Sequence, residues 1–124
     1  MEYARQSWPA DPHAAAEIAV VVRNWLGSLA VDPDHVARLA VAVDEAVVNA
    51  YLHAYPPGRY GSVEVTLWTD TTTVHVEVLD HGSWRPPTPA SGGRGMQMMA
   101  QLDGQVLIRC GARGTRVLLR QPLN

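Results

Sequence analysis

Residues 44–55 read Asp44-Glu45-Ala46-Val47-Val48-Asn49-Ala50-Tyr51-Leu52-His53-Ala54-Tyr55, and this stretch predicts a helix with two chemically different sides. Glu45 and Asn49 are four residues apart, so they lie one above the other on one helical face. Apolar residues at helical spacing are expected on roughly the opposite side, namely Val36, Leu39, Ala40, Val43, Val47, Ala50 and Ala54. A carboxylate can take a proton from a hydroxyl and an amide oxygen suits magnesium, so the pair is a candidate phosphoryl-transfer site. The same pattern also describes an ordinary helix with a solvated face.

The second candidate segment is Val78-Leu79-Asp80-His81-Gly82, where a strand of alternating hydrophobicity runs into an acid and a glycine. Asp80 at the strand end can accept a hydrogen bond from an amino group. Gly82 permits a positive φ or a close approach of the backbone to a ligand. Asp-x-Gly also occurs in many ordinary turns, so this segment alone leaves both interpretations open.

The third segment is a glycine-rich loop, Ser91-Gly92-Gly93-Arg94-Gly95-Met96, which opens onto a predicted short helix at 96–102. Such a loop can turn several backbone N–H groups toward an anion, and the helix N-terminus adds a favourable dipole. Arg94 is the only cation inside the loop. A flexible glycine linker is the alternative interpretation.

The rest of the chain predicts an α+β fold, a two-layer sandwich in which helices cover one face of a mixed, mainly antiparallel sheet. Asp11-Pro12 and Asp32-Pro33 are helix-start signals, and the second helix is expected to stop at Pro56-Pro57-Gly58. The predicted strands are an edge strand at 3–8 and two hairpins, at 63–68 with 74–78 and at 105–109 with 115–120. The long irregular stretch 81–95 is expected to be a lid.

Length and composition exclude several classes of protein. The 124 residues are expected to form one domain over 1–124, and a net charge of −2 argues against direct nucleic-acid binding. No long apolar run or targeting pattern is present, so the expectation is a cytoplasmic protein without a membrane segment. Cys110 is the only cysteine, which excludes an intrachain disulfide. The chain contains no Lys, which excludes a P-loop and a eukaryotic-type protein kinase, since both require one.

In chain order, these three segments resemble the N, G1 and G2 boxes of the GHKL (Bergerat-fold) ATPase and kinase superfamily. Gly114-Thr115-Arg116-Val117-Leu118-Leu119 resembles its closing Gly-Thr box. The resemblance runs from about Asp11 to Arg120 and is nearest to the anti-sigma-factor serine kinase branch. Typical of that branch are Glu-Ala-Val-Val-Asn-Ala followed by His-Ala-Tyr, and Asp-x-Gly followed by an aromatic residue, here Trp84, and prolines.

The resemblance implies a role for several residues around ATP. Asn49 is similar to the magnesium ligand, and Glu45 to the residue that polarises the attacking hydroxyl or water. Asp80 corresponds to the acid that reads adenine, with Gly82 letting the base approach and Thr115 completing the pocket.

The remaining nucleotide-binding positions lie at the end of the helix and in the loop. Gly93, Arg94 and Gly95 resemble the lid over the phosphates, and His53 matches a position near the nucleotide. Ser83 follows Gly82 where the wider superfamily has a second glycine nearby, although this departure is common in the branch.

The implied function is an ATP- and Mg²⁺-dependent protein-serine kinase acting as an anti-sigma factor. In this branch the protein sequesters a sigma factor and phosphorylates a STAS-type anti-anti-sigma protein on serine, and a homodimer is expected. The alternatives are a catalytically weak, nucleotide-responsive binding module and a simple ATPase. Retention of both Glu45 and Asn49 favours the enzyme.

Overall fold

Two helices and five strands make up the described part of the chain, residues 3–29, 32–53, 61–82, 105–111 and 113–122 of a computed structural model. In chain order they are β1 (Tyr3–Pro9), α1 (Pro12–Gly27), α2 (Pro33–His53), β2 (Ser62–Thr69), β3 (Thr73–Asp80), β4 (Gln105–Gly111) and β5 (Gly114–Pro122). The end of the second helix at Pro56, the short helix at 96–102 and the predicted lid from residue 83 onward lie outside the described residues.

Both helices begin where their capping residues predict. Asp11 has extended backbone geometry, and its Oδ1 accepts a hydrogen bond from the Ala14 N–H at 2.8 Å. Asp32 Oδ1 likewise accepts from the Asp34 N–H at 2.8 Å. These contacts satisfy backbone donors that have no partner inside the first turn, which is why each helix starts at the following proline.

The five strands form one sheet in the order β1-β2-β3-β5-β4. All four pairings among these strands are antiparallel. β1 lies at an edge and the two hairpins are β2–β3 and β4–β5, as predicted, with each strand longer than its hydrophobic alternation alone indicated. β5 lies between β3 and β4, so the β3–β5 pairing joins two strands that are distant in the chain.

The hydrophobic core lies between the helices and one face of the sheet, which confirms the predicted two-layer α+β fold. Alternate residues of β2, β3 and β5 are buried, and α2 contacts all three strands while α1 packs against α2. The least exposed large apolar side chains are Ile18, Val22, Leu26, Leu39, Val43, Val47, Val63, Val74, Val76, Val117 and Leu119. Neither described helix combines the length and the apolar character that crossing a membrane requires.

Candidate functional site

Asp80 is a buried carboxylate at the end of β3 with two backbone donors on one oxygen. Asp80 is only 2% exposed. Oδ1 accepts the Gly82 N–H at 2.9 Å and the Thr115 N–H at 3.3 Å. Two donors on Oδ1 orient the carboxylate, and buried acids need such partners because burial alone disfavours their charge.

Thr115 reaches Asp80 because the two residues are direct cross-strand partners in the β3–β5 pairing. Thr115 is itself only 1% exposed. The structure therefore brings together Asp80, Gly82 and Thr115, three residues that the sequence assigned to one pocket although Thr115 is 35 residues away from Asp80.

Gly114, the first residue of the Gly-Thr pair, is a structural requirement of this cluster. Its φ of +143° lies where residues with a side chain are rarely found. A Cβ at this position would collide with the carbonyl oxygen of Asp80. The signal for it was the Gly-Thr dipeptide in the β4–β5 turn, and the positive φ expected as an option at Gly82 is found at Gly114.

On α2, Asn49 is buried at 6% exposure while Glu45 is partly exposed. The two residues differ by about 40° around the helix axis, at one margin of the buried arc. Around the helix axis Asn49 is still roughly opposite the apolar stripe, but it is buried, because packing against the sheet buries a wider arc than the apolar residues alone define. Glu45 remains at the rim of that arc.

The Asn49 side chain carries the clearest unmet polar group near this margin. Its Nδ2 is buried and has no hydrogen-bond partner among the residues that the structure describes. A buried polar atom without a partner costs about 1 to 3 kcal/mol. Such a cost is expected where a ligand completes the bonding, so the atom marks a candidate ligand contact.

Glu45 is also free to act on a ligand. The adjacent Asp44 is held by Arg23, with Arg23 Nη2 at 2.7 Å from Asp44 Oδ2. Glu45 has no hydrogen bond or ion pair of this kind within the described ranges. Asp44 thus joins α2 to α1, whereas Glu45 is available at the rim of the buried arc.

The remaining predicted site residues are only partly covered. Gly93, Arg94 and Gly95 lie outside the described residues, so the lid stays a prediction. His53 is the last residue of α2, and its side chain lies outside the described part of the structure. α2 contacts β3 and β5, which carry Asp80 and Thr115, so one helix and two neighbouring strands supply the candidate site.

Chemically, the two parts of the site have different uses. The Asp80 carboxylate, which the Gly82 and Thr115 N–H groups orient through Oδ1, can accept a hydrogen bond from an amino group. An amide and a carboxylate on one helical margin can hold a cation and accept a proton.

Comparison with known proteins identifies an ATPase domain family and kinase relatives. The Histidine kinase-like ATPase domain family model matches residues 8–121. The chain is 25% identical to the serine-protein kinase RsbW of Bacillus velezensis over 141 residues, covering 100% of this chain and 88% of that protein. RsbW of Bacillus subtilis is 25% identical over 140 residues, covering 99% and 87%.

Solved structures agree with these sequence matches. The structure of the RsbU and RsbW domains of Rv1364c from Mycobacterium tuberculosis matches with a TM-score of 0.79 and 25% identity, over 99% of this chain and 33% of that chain. The Erythrobacter litoralis EL346 blue-light activated histidine kinase matches with a TM-score of 0.64 and 26% identity, over 75% of this chain and 32% of that one. The chain thus spans about a third of each of these larger proteins. The resemblance to the GHKL superfamily and its anti-sigma-factor serine kinase branch is confirmed, and the chain belongs to the Histidine kinase-like ATPase domain family.

Proposed function

We propose that this protein is an ATP-dependent protein-serine kinase that transfers the γ-phosphoryl group to a serine of a partner protein. The observation that carries the proposal is the buried Asn49 amide without a partner, four residues from the free Glu45 carboxylate on α2. The relatives named serine-protein kinase and the kinase-like ATPase family support kinase or ATPase activity.

Adenine recognition is assigned to the end of β3. The Asp80 carboxylate would accept the exocyclic amine of adenine, while the Gly82 and Thr115 N–H groups orient it through Oδ1. Because Asp80 is buried, this contact would form away from water, where an unmatched polar group is expensive. The site would therefore select ATP over GTP.

The residues present fit a magnesium ion beside the phosphates. Asn49 would hold it through the amide oxygen, while the Nδ2 group, which lacks a partner among the described residues, would donate to a phosphate oxygen. Magnesium, when bound, supplies charge neutralisation at the phosphate oxygens. The glycine-rich segment with Gly93, Arg94 and Gly95 is proposed to cover the phosphates.

Glu45 is assigned the role of general base. The serine hydroxyl oxygen forms a bond to the γ-phosphorus, the bond from that phosphorus to the β–γ bridging oxygen breaks, and ADP leaves. The hydroxyl proton passes to the Glu45 carboxylate. The relevant property of Glu45 is that its carboxylate is not engaged by Arg23, unlike that of Asp44.

Partners are proposed from the resemblance. The protein would act in the cytoplasm as an anti-sigma factor, with a sigma factor and a STAS-type anti-anti-sigma protein as partners, the latter phosphorylated on serine. A homodimer is part of the same proposal. The chain is expected to act as one domain over 1–124.

The competing function is a nucleotide-responsive binding module without catalysis, and a simple ATPase is a third. The partly exposed position of Glu45 favours the kinase, since a module that only binds nucleotide needs no free acid at the rim. Incubation with labelled ATP, Mg²⁺ and candidate STAS proteins separates the three functions, with phosphoserine mapped by mass spectrometry.

The matched variant is Glu45→Gln, which keeps the side-chain shape. It should preserve ATP binding and reduce phosphotransfer by about 10² to 10⁴-fold, the usual contribution of a general base. Glu17→Gln on the exposed side of α1 is the control and should leave both unchanged. Phosphotransfer at the parental rate in Glu45→Gln would remove Glu45 from the mechanism, and ATP turnover without phosphoserine would favour the ATPase.

A further inference from the structure

β4 is an edge strand, and no described strand pairs with its outer side. The sheet order β1-β2-β3-β5-β4 leaves β1 and β4 at the two edges. An edge strand presents a row of backbone N–H and C=O groups with which another extended segment can pair. The two edges of this sheet differ in how well they are protected from such pairing.

The hydrogen-bond pattern shows which backbone groups of β4 point outward. The β4–β5 turn has two residues, so the pair that flanks it is hydrogen-bonded and the pairs alternate from there. The Thr115 N–H agrees with this alternation, since it points toward β3 and bonds Asp80. By the same alternation, the N–H and C=O groups of Val106 and Ile108 point away from β5. No hydrogen bond to these four groups occurs within the described ranges.

β4 lacks the features that normally keep an edge strand from pairing, which are prolines and several charged side chains. β1, at the other edge, ends in Pro9 and carries Arg5, which is paired with Glu64 at 2.9 Å. β4 contains no Pro and no acid, and its residues 106–108 are all apolar. Leu107 is 46% exposed. β4 is therefore the edge that can accept another strand.

The hairpin of β4 and β5 is strongly basic. Residues 105–122 contain four Arg and no Asp or Glu, although the whole chain has a net charge of −2. Arg109 and Arg116 are direct cross-strand partners, an arrangement of like charges that destabilises a sheet. Arg116 Nε lies 3.3 Å from Glu77 Oε2, whereas Arg109 has no ion pair within the described ranges. Arg109 is thus an exposed cation on the outer strand that an acidic group can reach.

On the face of the sheet turned away from the helices, the hairpin has an apolar row between two rows that contain arginine. The rows are Arg109 with Arg116, Leu107 with Leu118, and Gln105 with Arg120. A cavity of about 420 Å³ opens at the middle row, lined by Leu107, Leu118, Arg120 and Val106. An extended segment beside β4 would place every second side chain in register with these rows. The complementary pattern is acid-x-apolar-x-acid.

We propose that β4 binds an acidic, extended segment of another protein, which adds a strand to the sheet. Its apolar side chain enters the cavity beside Leu107, and its acids face Arg109 and Arg120. The pattern reads the same in both chain directions, and antiparallel pairing is expected because it is the more stable of the two. None of these residues is assigned to ATP or to phosphotransfer, so binding should not require kinase activity.

A second β4 strand is a poorer occupant of this edge. Pairing of two copies would bring two basic hairpins together, and neither β4 carries an acid to face Arg109. Single-stranded nucleic acid would be attracted by the same arginines, but it stacks its bases on aromatic side chains, and β4 and β5 contain none. The outward backbone groups and the apolar middle row favour a peptide.

Fluorescence anisotropy of the full chain with a labelled probe peptide, Ser-Val-Glu-Val-Leu-Val-Glu, tests the proposal. The probe should bind saturably, and the same peptide with Lys in place of each Glu should bind at least about tenfold more weakly. N-methylation of its Val residues removes the N–H groups that face β4 in an antiparallel pair, and should weaken binding at least about tenfold. N-methylation of its Glu and Leu residues, whose N–H groups then face solvent, should change the affinity by less than about threefold.

Arg109→Glu is the matched variant of the protein. It replaces a like-charge cross-strand pair with an opposite-charge pair, so the sheet should remain folded. It should weaken binding of the glutamate probe at least about tenfold and make the lysine probe the tighter of the two. Arg5→Glu on β1, at the opposite edge, changes the net charge equally and should leave both affinities unchanged.

Absence of saturable binding, equal affinity for the two probes, or equal loss from both sets of N-methyl groups would overturn the proposal. Loss confined to the Glu and Leu set would support strand addition in the parallel direction. Tighter binding of an oligothymidylate than of the glutamate probe would overturn it in favour of nucleic acid. Equally tight binding of a peptide with the sequence of β4 itself would overturn it in favour of a second copy.

Discussion

The carbonyl oxygen of Asp80 occupies the space in which the first side-chain atom of any residue other than glycine at position 114 would be placed. Gly114 precedes Thr115, whose N–H bonds the Asp80 carboxylate from the neighbouring strand. The close approach of the two strands at this point therefore depends on a missing Cβ. The glycine of the Gly-Thr pair serves the candidate adenine contact indirectly, by letting the Thr115 backbone come near Asp80.

Gly114→Ala should consequently destabilise the protein. The new methyl group would meet backbone atoms of Asp80 and His81, which cannot rotate away, and φ at this residue is +143°. Strain of this kind costs on the order of 1 to 3 kcal/mol. Chemical denaturation measures the change in the free energy of unfolding.

Gly27→Ala provides the matched control for that experiment. Gly27 is the last residue of α1, and an added Cβ would have no atom within 4 Å. Alanine reduces the backbone entropy of the unfolded chain, so stability should be unchanged or rise by up to about 1 kcal/mol. Equal effects of the two substitutions would contradict the steric explanation for Gly114.

Asp80 should determine the choice of nucleotide. Guanine carries an oxygen where adenine carries its amine, so GTP would set acceptor against carboxylate and bind worse by about 1 to 3 kcal/mol. Asp80→Asn offers an NH₂ group and should narrow or reverse the preference. Titration calorimetry with both nucleotides measures this, with Asp44→Asn as a control, since Asp44 instead pairs with Arg23. Equal affinity of the parent for ATP and GTP would exclude the assigned role.

The buried Asn49 side chain is expected to lower the free energy of unfolding and to contribute to ligand binding. Asn49→Leu removes a buried polar atom that has no partner in the described structure, so the free energy of unfolding should rise by about 1 to 3 kcal/mol. Magnesium-dependent ATP binding should fall by at least about tenfold, because the leucine offers neither ligand nor donor. Asn24→Leu on the exposed side of α1 should change stability by less than about 0.5 kcal/mol and leave binding intact. Undiminished ATP binding in Asn49→Leu would remove Asn49 from the site.

The lowered pKa of the Asp70 carboxyl predicts that the protein loses stability in acid. The hydrogen bond to His75 holds the pKa of the Asp70 carboxyl well below its usual range, and the Thr72 and Thr73 N–H groups act in the same direction. A depressed folded-state pKa means that the charged carboxylate stabilises the fold above the ordinary value of 3.8 and that this contribution is lost as pH falls below it.

The variant Asp70→Asn isolates this effect, since it keeps an oxygen for the turn N–H groups and removes the charge. The parent should be more stable than the variant at about pH 5, and the difference should shrink as pH falls below about 3.8. Thermal unfolding across this range measures it. A difference that grows toward low pH would have the wrong sign for a carboxylate with a lowered pKa.

Much of the fold could be predicted from local signals. Asp11-Pro12 and Asp32-Pro33 give the correct helix starts because a cap is a contact between residues two or three apart. The β2–β3 hairpin follows from alternation of apolar and polar residues around a polar turn. In the site, the resemblance implied one pocket for Asp80, Gly82 and Thr115. The structure joins the three residues by two hydrogen bonds, and their role toward a nucleotide stays a prediction.

Within the described residues, local patterns were enough to predict the helices, the strands and the apolar side of each strand, since propensity, capping and alternation act within a few residues. Three features required the packed fold: the place of β5 between β3 and β4, the burial of Asn49 on α2, and the need for a glycine at position 114. Each of these depends on two segments that are distant in the chain approaching to atomic contact. Long-range register and the width of a packed surface are set by the whole core, so no local pattern encodes them.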